Sequence, residues 1–323
     1  MRKFALLLVA LTVGAALPGA QGRKTLDIYS IDVEGGGGTL FVSPSGESVL
    51  IDSGNPSNGR DADRIVAAAR DAGLTQIDHL ITTHFHGDHI GGLPDLADRF
   101  PIREFIDHGE NSQPPTADPM LTTMRRYVEL YTKARHTVVK AGDKLPVAGL
   151  DWLIVASNGE VIPKALPGAG KPNPECASFQ KQEETNFEDF HSVGSLVTFG
   201  KFRFLLMGDF TVNYEFQLMC PNNRIGTVDA WLVSNHGQPR SGSAVLAHAI
   251  QPRIGHDRLQ SLVDLRFLIA DRHALCAQAH RNRHERARFE REGQSRGRRH
   301  ARPQLVVDEP RQAQHRIAQP SRA

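Results

Sequence analysis

The sequence predicts an α/β fold in which a mixed β-sheet is covered by helices. Apolar stretches on either side of tight turns, such as Pro44-Ser45-Gly46 and Gly200-Lys201, indicate hairpins and therefore antiparallel strands. Elsewhere, apolar strands alternate with stretches of helical spacing, which indicates βα units and parallel strands. The chain has 323 residues, 40% of them hydrophobic and 23% charged. This composition excludes a collagen-like, coiled-coil or wholly disordered chain.

In the first half of the chain, the spacing of apolar residues indicates each element in turn. Alternating or short continuous apolar runs predict strands, and apolar residues that recur every three or four positions predict helices. The first predicted helix has Ile65, Val66 and Ala69 on one face and Gly73 as its stop signal. The predicted strands are 25–32, 39–43, 48–52, 78–83 and 104–107, and the predicted helices are 58–72, 90–100 and 117–134.

The second half continues the same pattern around one long loop. Residues from about 158 to 190 are rich in Pro, Gly, Asn and Glu, which is typical of a loop. A hairpin, a short helix and a further strand follow it. The predicted strands are 151–156, 193–199, 202–207 and 228–234, and the predicted short helix is 214–219.

The amino terminus has the pattern of a signal peptide over residues 1–22. Arg2 and Lys3 precede an apolar run from residue 4 to about 16, and small residues follow it. The run is shorter than the roughly 20 apolar residues of a membrane-spanning helix. We therefore expect a secreted or periplasmic protein with no membrane span after cleavage; the alternative is an uncleaved anchor.

The charge of the chain divides it into a main domain, 23–250, and an atypical tail, 251–323. Residues 1–250 carry 22 Lys and Arg against 28 Asp and Glu, whereas the tail carries 16 Arg, no Lys and 8 acidic residues. Three interpretations of the tail stay open. It is a disordered basic arm that binds nucleic acid, a helix over about 262–291 with a basic face, or the product of a frame shift, which we favour.

Three cysteines in a chain of this length exclude a disulfide scaffold. In an exported protein Cys176 and Cys220 could pair, because such compartments are oxidising. Two buried free thiols are an equally good interpretation of the sequence.

The most informative segment is the histidine-rich loop that follows the predicted strand 78–83. His84 and His86 are two residues apart, so that in an extended chain they point to the same side. Asp88 and His89 follow within the next turn. Imidazole and carboxylate groups suit zinc, and also iron or manganese. The segment therefore predicts a metal site; the alternative is a set of solvated loop histidines.

This segment resembles the HxHxDH signature of the metallo-β-lactamase fold superfamily. The segments LIDSG at 50–54, LLMGD at 205–209 and LVSNHG at 232–237 resemble three further motifs of that superfamily, in the same order. The resemblance implies a four-layer αββα sandwich with mixed sheets. Among subgroups, the sequence looks most similar to the metallo-β-lactamase-like domains of DNA-uptake competence proteins.

The resemblance implies a site for two divalent metal ions, with zinc expected and iron or manganese as alternatives. His84 and His86 would bind the first ion, and Asp88 and His89 the second. Asp209 would bridge the two ions, and His236 would complete the second site. Asp88 and Asp209 are the expected catalytic carboxylates, beside a metal-bound hydroxide that attacks an ester or phosphodiester. Asp52 is expected to orient one of the ligand histidines.

The sequence departs from the superfamily pattern at two places. Many members have a histidine before the Gly-Asp strand as third ligand of the first metal, and the nearest one here is His191. We expect His191 to be that ligand, with a surface-loop histidine as the alternative. The competence-like subgroup often has two histidines before the late glycine, and the first of these places holds Asn235. His236 is kept as the ligand.

Three functions remain open from the sequence alone. The first is an exported hydrolase of a small-molecule ester or a phosphodiester. The second is a degenerate, non-catalytic protein of the same fold. The third is a nucleic-acid-binding protein that uses the Arg-rich tail. His108 follows a short strand near the predicted site and is a candidate to contact substrate, with a loop residue as the alternative; the sequence does not indicate an oligomeric state.

Overall fold

Two seven-stranded sheets form the body of the chain in a computed structural model that describes residues 25–184, 188–256 and 265–270. Of residues 255–256 and 265–270 only the backbone is described. The strands are β1 Thr25–Ser30, β2 Thr39–Val42, β3 Ser48–Ile51, β4 Ile77–Ile81, β5 Ile102–Asp107, β6 Arg135–Val138, β7 Lys144–Leu145, β8 Asp151–Ser157, β9 Glu160–Val161, β10 Gly194–Phe199, β11 Phe202–Leu206, β12 Ala230–Leu232, β13 Ile254–His256 and β14 Leu265–Ala270. The α-helices are α1 Arg60–Asp71, α2 Gly87–Ile90, α3 Leu93–Ala97, α4 Met120–Thr132, α5 Val212–Met219 and α6 Ala244–Ile250.

Both sheets mix parallel and antiparallel strands. The first has the order β14-β1-β2-β3-β4-β5-β6, and its strands from β3 to β6 run parallel. The second has the order β13-β12-β11-β10-β8-β7, with β9 paired to β8. In it, β11, β12 and β13 run parallel. Because parallel strands end at the same edge of a sheet, the loops after them converge there.

Three apolar layers show that the two sheets lie between helices. In β2, Phe41 faces the layer that contains Trp152 of β8, so this layer lies between the sheets. Its neighbours Leu40 and Val42 face the opposite side, where α1, α3 and α4 cover the first sheet. A third layer joins the outer face of the second sheet to α5 and α6. The predicted four-layer αββα sandwich is therefore confirmed.

The predicted elements of the body agree with the structure to within a few residues. The differences are short elements that the sequence analysis did not assign. They are α2, β6, β7, β9, α6 and three 3-10 turns at Pro174–Ser178, Asp189–His191 and Ser234–Gly237. The β6 side chains are largely exposed, so the strand lacks the apolar alternation by which a half-buried strand is recognised.

Two strands lie within the atypical segment 251–323. The strand β13 extends the second sheet beside β12, and β14 pairs antiparallel with β1 at the edge of the first. Residues 265–270 are thus extended and are not part of a helix over 262–291. The other residues of the tail and the predicted signal peptide lie outside the described residues, and the interpretations given for them stay predictions.

Cys176 and Cys220 form a disulfide with their Cα atoms 5.8 Å apart. The bond joins the long loop before β10 to the carboxyl end of α5, on the outer face of the second sheet. Of the two interpretations that the sequence left open, the structure has the paired one. Among the described residues, no helix is both long enough and apolar enough to cross a membrane.

Trp152 is expected to be a main contributor to stability because it fills the space between the sheets. It is fully buried, and its ring packs edge-on against Phe41 at 5.1 Å between centroids. Replacement of Trp152 by Ala should lower the free energy of unfolding by about 3–5 kcal/mol in urea denaturation. As a control, Val128→Ala on α4, where Val128 is 41% exposed, should change it by less than about 1 kcal/mol. Equal effects of the two substitutions would contradict this packing.

Candidate metal centre

The first group of potential metal ligands consists of His84, His86 and Asp189. The Nε2 atom of His84 lies 2.9 Å from Nδ1 of His86. The Oδ1 atom of Asp189 lies 2.9 Å from Nδ1 of His86 and 3.7 Å from Nε2 of His84. We call these three residues the first cluster. One nitrogen from each ring and one carboxylate oxygen converge on a single point, as the ligands of one metal ion do.

Asp189 occupies the place in this cluster that the sequence analysis gave to His191. A 3-10 turn over Asp189–His191 directs the two side chains differently. The ring of His191 stacks on His108, with 5.7 Å between centroids, and lies against Phe190. The structure thus does not bring His191 into either group of potential ligands among the described residues.

The second group consists of Asp88, His89, Asp209 and His236, which we call the second cluster. The Nε2 atom of His236 lies 3.0 Å from Oδ2 of Asp88 and 3.2 Å from Oδ2 of Asp209. The Nε2 atom of His89 lies 3.4 Å from Oδ1 of Asp209 and 3.5 Å from Oδ2 of Asp88. The structure therefore brings together all four residues that the sequence predicted for the second metal.

Asp209 lies between the two clusters. Its Oδ2 atom is 3.9 Å from Nε2 of His84 in the first cluster and 3.2 Å from Nε2 of His236 in the second. It follows β11 through Gly208, which has a φ of 57°. A Cβ atom at Gly208 would lie 2.9 Å from the side chains of Thr83 and Ser192, so only glycine fits this close approach.

The chemistry of the two clusters fits metal ions. The Oδ1 atoms of Asp189 and Asp209 are buried and form no hydrogen bond of regular geometry. Buried carboxylate oxygens are costly without a compensating partner, and a cation at each cluster would supply it. The sets of imidazole and carboxylate ligands suit zinc and also iron or manganese.

Asp52, at the end of β3, fixes the loop that carries the histidines. Its Oδ2 atom lies 2.7 Å from Nδ1 of His89 and accepts a hydrogen bond of 3.0 Å from Oγ1 of Thr83. Its Oδ1 atom accepts a hydrogen bond of 2.8 Å from the backbone N–H of Thr83. The contact at Nδ1 leaves Nε2 of His89 directed at the second cluster, which is the orienting role that the sequence analysis assigned to Asp52.

Asn235 and His236 hold a strained backbone after β12. Both have left-handed conformations, with φ of 46° and 54°, which L-residues adopt at a cost. The Nδ2 atom of Asn235 donates to Oδ2 of Asp189 and to the backbone oxygen of Asp209, both at 3.3 Å. Asn235 is therefore not in a cluster, but it holds Asp189 by the oxygen that points away from His86.

The buried charges of the clusters shift one another's pKa values. Burial and the nearby His89 lower the pKa of His84 well below its ordinary value, so that its ring is neutral. Burial also opposes the charge of His89, but Asp209, Asp88 and Asp52 raise its pKa well above the ordinary value. Burial raises the pKa of Asp209, yet the charge of His89 brings it well below the ordinary value. The carboxylate of Asp209 is thus ionised and able to bind a cation.

Glu188 is a fully buried carboxylate directly behind the first cluster. Its Oε1 atom accepts a hydrogen bond of 3.1 Å from the backbone N–H of Phe85, between the two histidines, and lies 2.8 Å from Nε2 of His108. Its Oε2 atom accepts a hydrogen bond from the backbone N–H of Ser112 at 2.8 Å and another from its Oγ at 2.5 Å. Glu188 thus ties the HxH segment to the loop after β5 and to its own neighbour Asp189.

His108 therefore has a buried partner in the structure. Its side chain is 1% exposed, and its ring lies between Glu188 and the rings of Phe85 and His191. His108 was a candidate to contact substrate, with a loop residue as the alternative, and its burial places it in the support of the first cluster.

Glu188 and Asp189 are the residues of the centre that the sequence analysis missed. They lie at the end of the long loop 158–190, where no periodic pattern indicates which side chain faces the site. A usable signal is the acidic pair itself, directly before the strand β10, in the stretch where the superfamily pattern calls for a ligand.

Residues 34–171 match the family model described as Metallo-beta-lactamase superfamily. The two mixed sheets between layers of helices are consistent with the metallo-β-lactamase sandwich fold. The matched range includes His84, His86, Asp88 and His89 and ends before the other ligand candidates. Asp189, Asp209 and His236 lie outside the matched range, and their positions in the structure assign them to the clusters.

Part of the chain is also similar to curated proteins. Over 86 residues, 26% of this chain, it is 35% identical to the atrochrysone carboxyl ACP thioesterase of Aspergillus terreus, of which the match covers 26%. Over 62 residues, 19% of this chain, it is 40% identical to the hydroxyacylglutathione hydrolase of Stenotrophomonas maltophilia, with 21% of that protein covered. The chain spans about a quarter of the length of these relatives.

A solved structure similar to this one is the metallo-beta-lactamase fold protein YhfI from Bacillus subtilis. The two chains are 13% identical, with a TM-score of 0.37, and the match covers 64% of this chain and 70% of that chain.

Replacement of Glu188 by Gln should weaken both the fold and the first cluster. A glutamine has one carbonyl oxygen and an NH2 group, so at least one of the N–H or O–H donors now held by the carboxylate loses its acceptor. We expect a loss of about 2–4 kcal/mol in the free energy of unfolding of the metal-free protein, measured in urea. The control is Glu110→Gln, at an exposed site in the same loop region. It should lower the free energy of unfolding by less than about 0.5 kcal/mol. A negligible effect of Glu188→Gln would contradict the network.

Glu215 of α5 anchors the loop that follows His236. It is fully buried, and its carboxylate accepts hydrogen bonds from the backbone N–H groups of Gly242 at 2.7 Å and Ser243 at 2.8 Å. Burial raises the pKa of Glu215 from 4.5 to about 7, although these hydrogen bonds oppose the rise. Between these pH values the folded protein therefore holds a proton that the unfolded chain has lost.

The stabilisation from this proton is complete below pH 4.5 and is lost as the pH rises through about 7. Between pH 5 and pH 8, the free energy of unfolding of the unsubstituted protein should fall by about 2 kcal/mol more than that of Glu215→Gln. Urea denaturation of both proteins with chelator present measures this difference. Glu160→Gln, at an exposed site, is the matched control and should follow the unsubstituted protein. Parallel pH curves for all three would refute the assignment.

Proposed function

We propose that the chain is a metal-dependent hydrolase. The observation that carries the proposal is the position of Asp209 between two clusters, each of which offers three or more His and Asp ligands. A carboxylate shared between two neighbouring ligand sets is suited to a pair of divalent ions. When bound, such a pair lowers the pKa of water and polarises the bond to be cleaved.

In this proposal His84, His86 and Asp189 hold one ion, while Asp88, His89 and His236 hold the other. Asp209 lies between them. The chain's part is to keep these seven side chains in place before the ions bind. Asp52 and Glu188 do this by accepting hydrogen bonds from the histidine segment, and Asn235 does it by donating one to Asp189. A preformed site needs little rearrangement during the reaction.

Asp88 is the carboxylate of the two clusters that a substrate can reach most easily. Its side chain is 34% exposed, whereas those of Asp189 and Asp209 are 1% and 6% exposed. Burial by itself raises the pKa of Asp88, but the charge of His89 and a hydrogen bond from His236 bring it below the ordinary value. Asp88 is thus an ionised, accessible carboxylate at the mouth of the centre, suited to binding the second ion.

The proposed substrate is an ester or thioester, with a phosphodiester as the other candidate. The partial relatives support the first choice, because one is a thioesterase and the other a hydroxyacylglutathione hydrolase by name. The resemblance of the sequence to competence proteins supports the second. All of these substrates have a carbonyl or phosphoryl centre that a site of this kind can attack.

We propose further that the protein is exported, to the periplasm or the medium. The basic start and short apolar run of residues 1–22 support this location. The disulfide between Cys176 and Cys220 agrees with it, because structural disulfides persist mainly in oxidising compartments.

The alternative of a degenerate, non-catalytic protein rested on Asn235 and on the uncertain place of His191. Its support is weaker now, since Asp189 completes the first cluster and Asn235 hydrogen-bonds to Asp189. A binding role of the Arg-rich tail toward nucleic acid stays a separate prediction.

A pair of substitutions tests the proposed site. Asp189→Ala should reduce the bound zinc from about two ions per chain to about one and lower kcat/KM for p-nitrophenyl acetate at least about 100-fold. His191→Ala, two residues away, should retain two ions. Elemental analysis of the dialysed proteins gives the first readout, and steady-state kinetics gives the second.

Bis(p-nitrophenyl) phosphate and a hydroxyacylglutathione, assayed in parallel, identify the class of substrate. His86→Ala serves as the inactive control, because it removes a ligand from the same cluster. If the unsubstituted protein binds two zinc ions but cleaves none of the three substrates, the hydrolase proposal fails. If it binds less than about half an ion per chain and added zinc does not restore the rest, the metal site itself is refuted.

A further inference from the structure

A guanidinium group lies beside the first cluster and is not required by the roles described so far. Arg240 comes four residues after His236, and its Nη2 atom is 3.6 Å from Oδ2 of Asp189. In the described parts 25–184 and 188–256, Arg240 is the only arginine or lysine that forms an ion pair with a carboxylate of either cluster.

The backbone around Arg240 is held in a fixed position. Its carbonyl oxygen accepts a hydrogen bond of 2.9 Å from the backbone N–H of Val212 at the start of α5. The next residue, Ser241, donates from its Oγ to the backbone oxygen of Ser234 at 2.7 Å. Beyond it, the loop is tied to Glu215. The chain therefore presents the guanidinium from a rigid loop and not from a mobile surface segment.

The donors of this guanidinium are poorly satisfied. A distance of 3.6 Å to Asp189 is longer than the 2.7–2.9 Å of a charge-assisted hydrogen bond. The Nε atom of Arg240 is buried and has no hydrogen-bond partner. The side chain is 37% exposed, so an incoming ligand can reach it. A guanidinium with incompletely satisfied donors gains from a further acceptor, and an oxyanion at the exposed part of the side chain would supply one.

The charge balance of the site points to the same conclusion. Two divalent ions carry more positive charge than the three carboxylates of the clusters offset, and Asn235 already holds Oδ2 of Asp189. Arg240 thus faces a carboxylate that is shared with Asn235 and with the first cluster. Glu183 and Glu184 line the same groove, and the Oε1 atom of Glu184 accepts hydrogen bonds from Thr211 and Asn213.

We propose that Arg240 binds an oxyanion of the substrate next to the first cluster, and that the centre selects substrates with a carboxylate or phosphate group near the bond it cleaves. This inference rests on the proposed function and adds a substrate class to it. A guanidinium binds either oxyanion through two parallel N–H donors. Arg240 would therefore determine specificity, while the clusters supply the reactivity.

The test compares the zinc-loaded full-length protein with Arg240→Ala and Arg240→Lys. Three substrates separate the charge classes: neutral p-nitrophenyl acetate, mono-p-nitrophenyl succinate with a carboxylate, and bis(p-nitrophenyl) phosphate with a phosphodiester. The ratio of kcat/KM for the anionic ester to that for the neutral ester should fall about tenfold or more in Arg240→Ala, mostly through KM. Arg240→Lys should recover part of the loss, because lysine keeps the positive charge but lacks the two parallel N–H donors of the guanidinium. Arg126→Ala, at an exposed ion pair on α4, is the matched control.

A readout without turnover accompanies the kinetics. Calorimetric titration of the zinc-loaded proteins with succinate and with inorganic phosphate should show affinity at least about tenfold weaker in Arg240→Ala, at unchanged zinc content. The anion whose binding affinity decreases more in Arg240→Ala is the preferred oxyanion. If no substrate is cleaved but this loss occurs, the hydrolase proposal fails and oxyanion binding by Arg240 stands.

Two results would overturn the inference. One is that Arg240→Ala binds both anions as tightly as the unsubstituted protein does and has the same selectivity ratio. The other is a loss of zinc in Arg240→Ala with the same decrease for neutral and anionic substrates, because Arg240 would then act through Asp189 alone.

Discussion

The whole site depends on holding three carboxylates next to one another, two of them buried away from bulk water. Asp88, Asp189 and Asp209 meet within a few ångströms of four histidines, and like charges at such distances repel strongly in a medium of low dielectric constant. A cation at each cluster removes this repulsion. The ion pairs of Asp209 and Asp88 with His89 show the same compensation by a protonated ring. Metal binding and the fold of this edge are therefore linked.

The sandwich meets this demand by bringing strand ends together. The loops after β3, β4, β11 and β12 supply Asp52, the histidine segment, Asp209 and His236. Contacts of His89 with Asp209 and His236 bring the loops of the two sheets together. The remaining ligand comes from a 3-10 turn before β10. Buried polar groups outside the clusters, above all Asp52 and Glu188, then fix the ligands against rotation. Removing either would leave donors without acceptors inside the protein.

Local pattern made most of this arrangement predictable. Periodicity located most strands of both sheets, and the dense HxHxDH segment indicated four candidate ligands. The strand ends at Asp52, Asp209 and His236 followed from the resemblance. The third candidate ligand of the first cluster did not follow from the resemblance, because Asp189 lies in a loop without periodicity. Only the 3-10 turn directs Asp189, and not His191, toward the histidines. Edge strands such as β6 were missed because their side chains are exposed on both faces.

Anomalous diffraction from crystals grown with zinc tests the central claim most directly. The account predicts two peaks about 3.5–4 Å apart. The first should lie about 2.0–2.2 Å from Nε2 of His84, Nδ1 of His86 and Oδ1 of Asp189, and the second should be bound by Asp88, His89 and His236. Asp209 should contact both. A single peak, or a first ion bound by His191 with Asp189 turned away, would contradict the account.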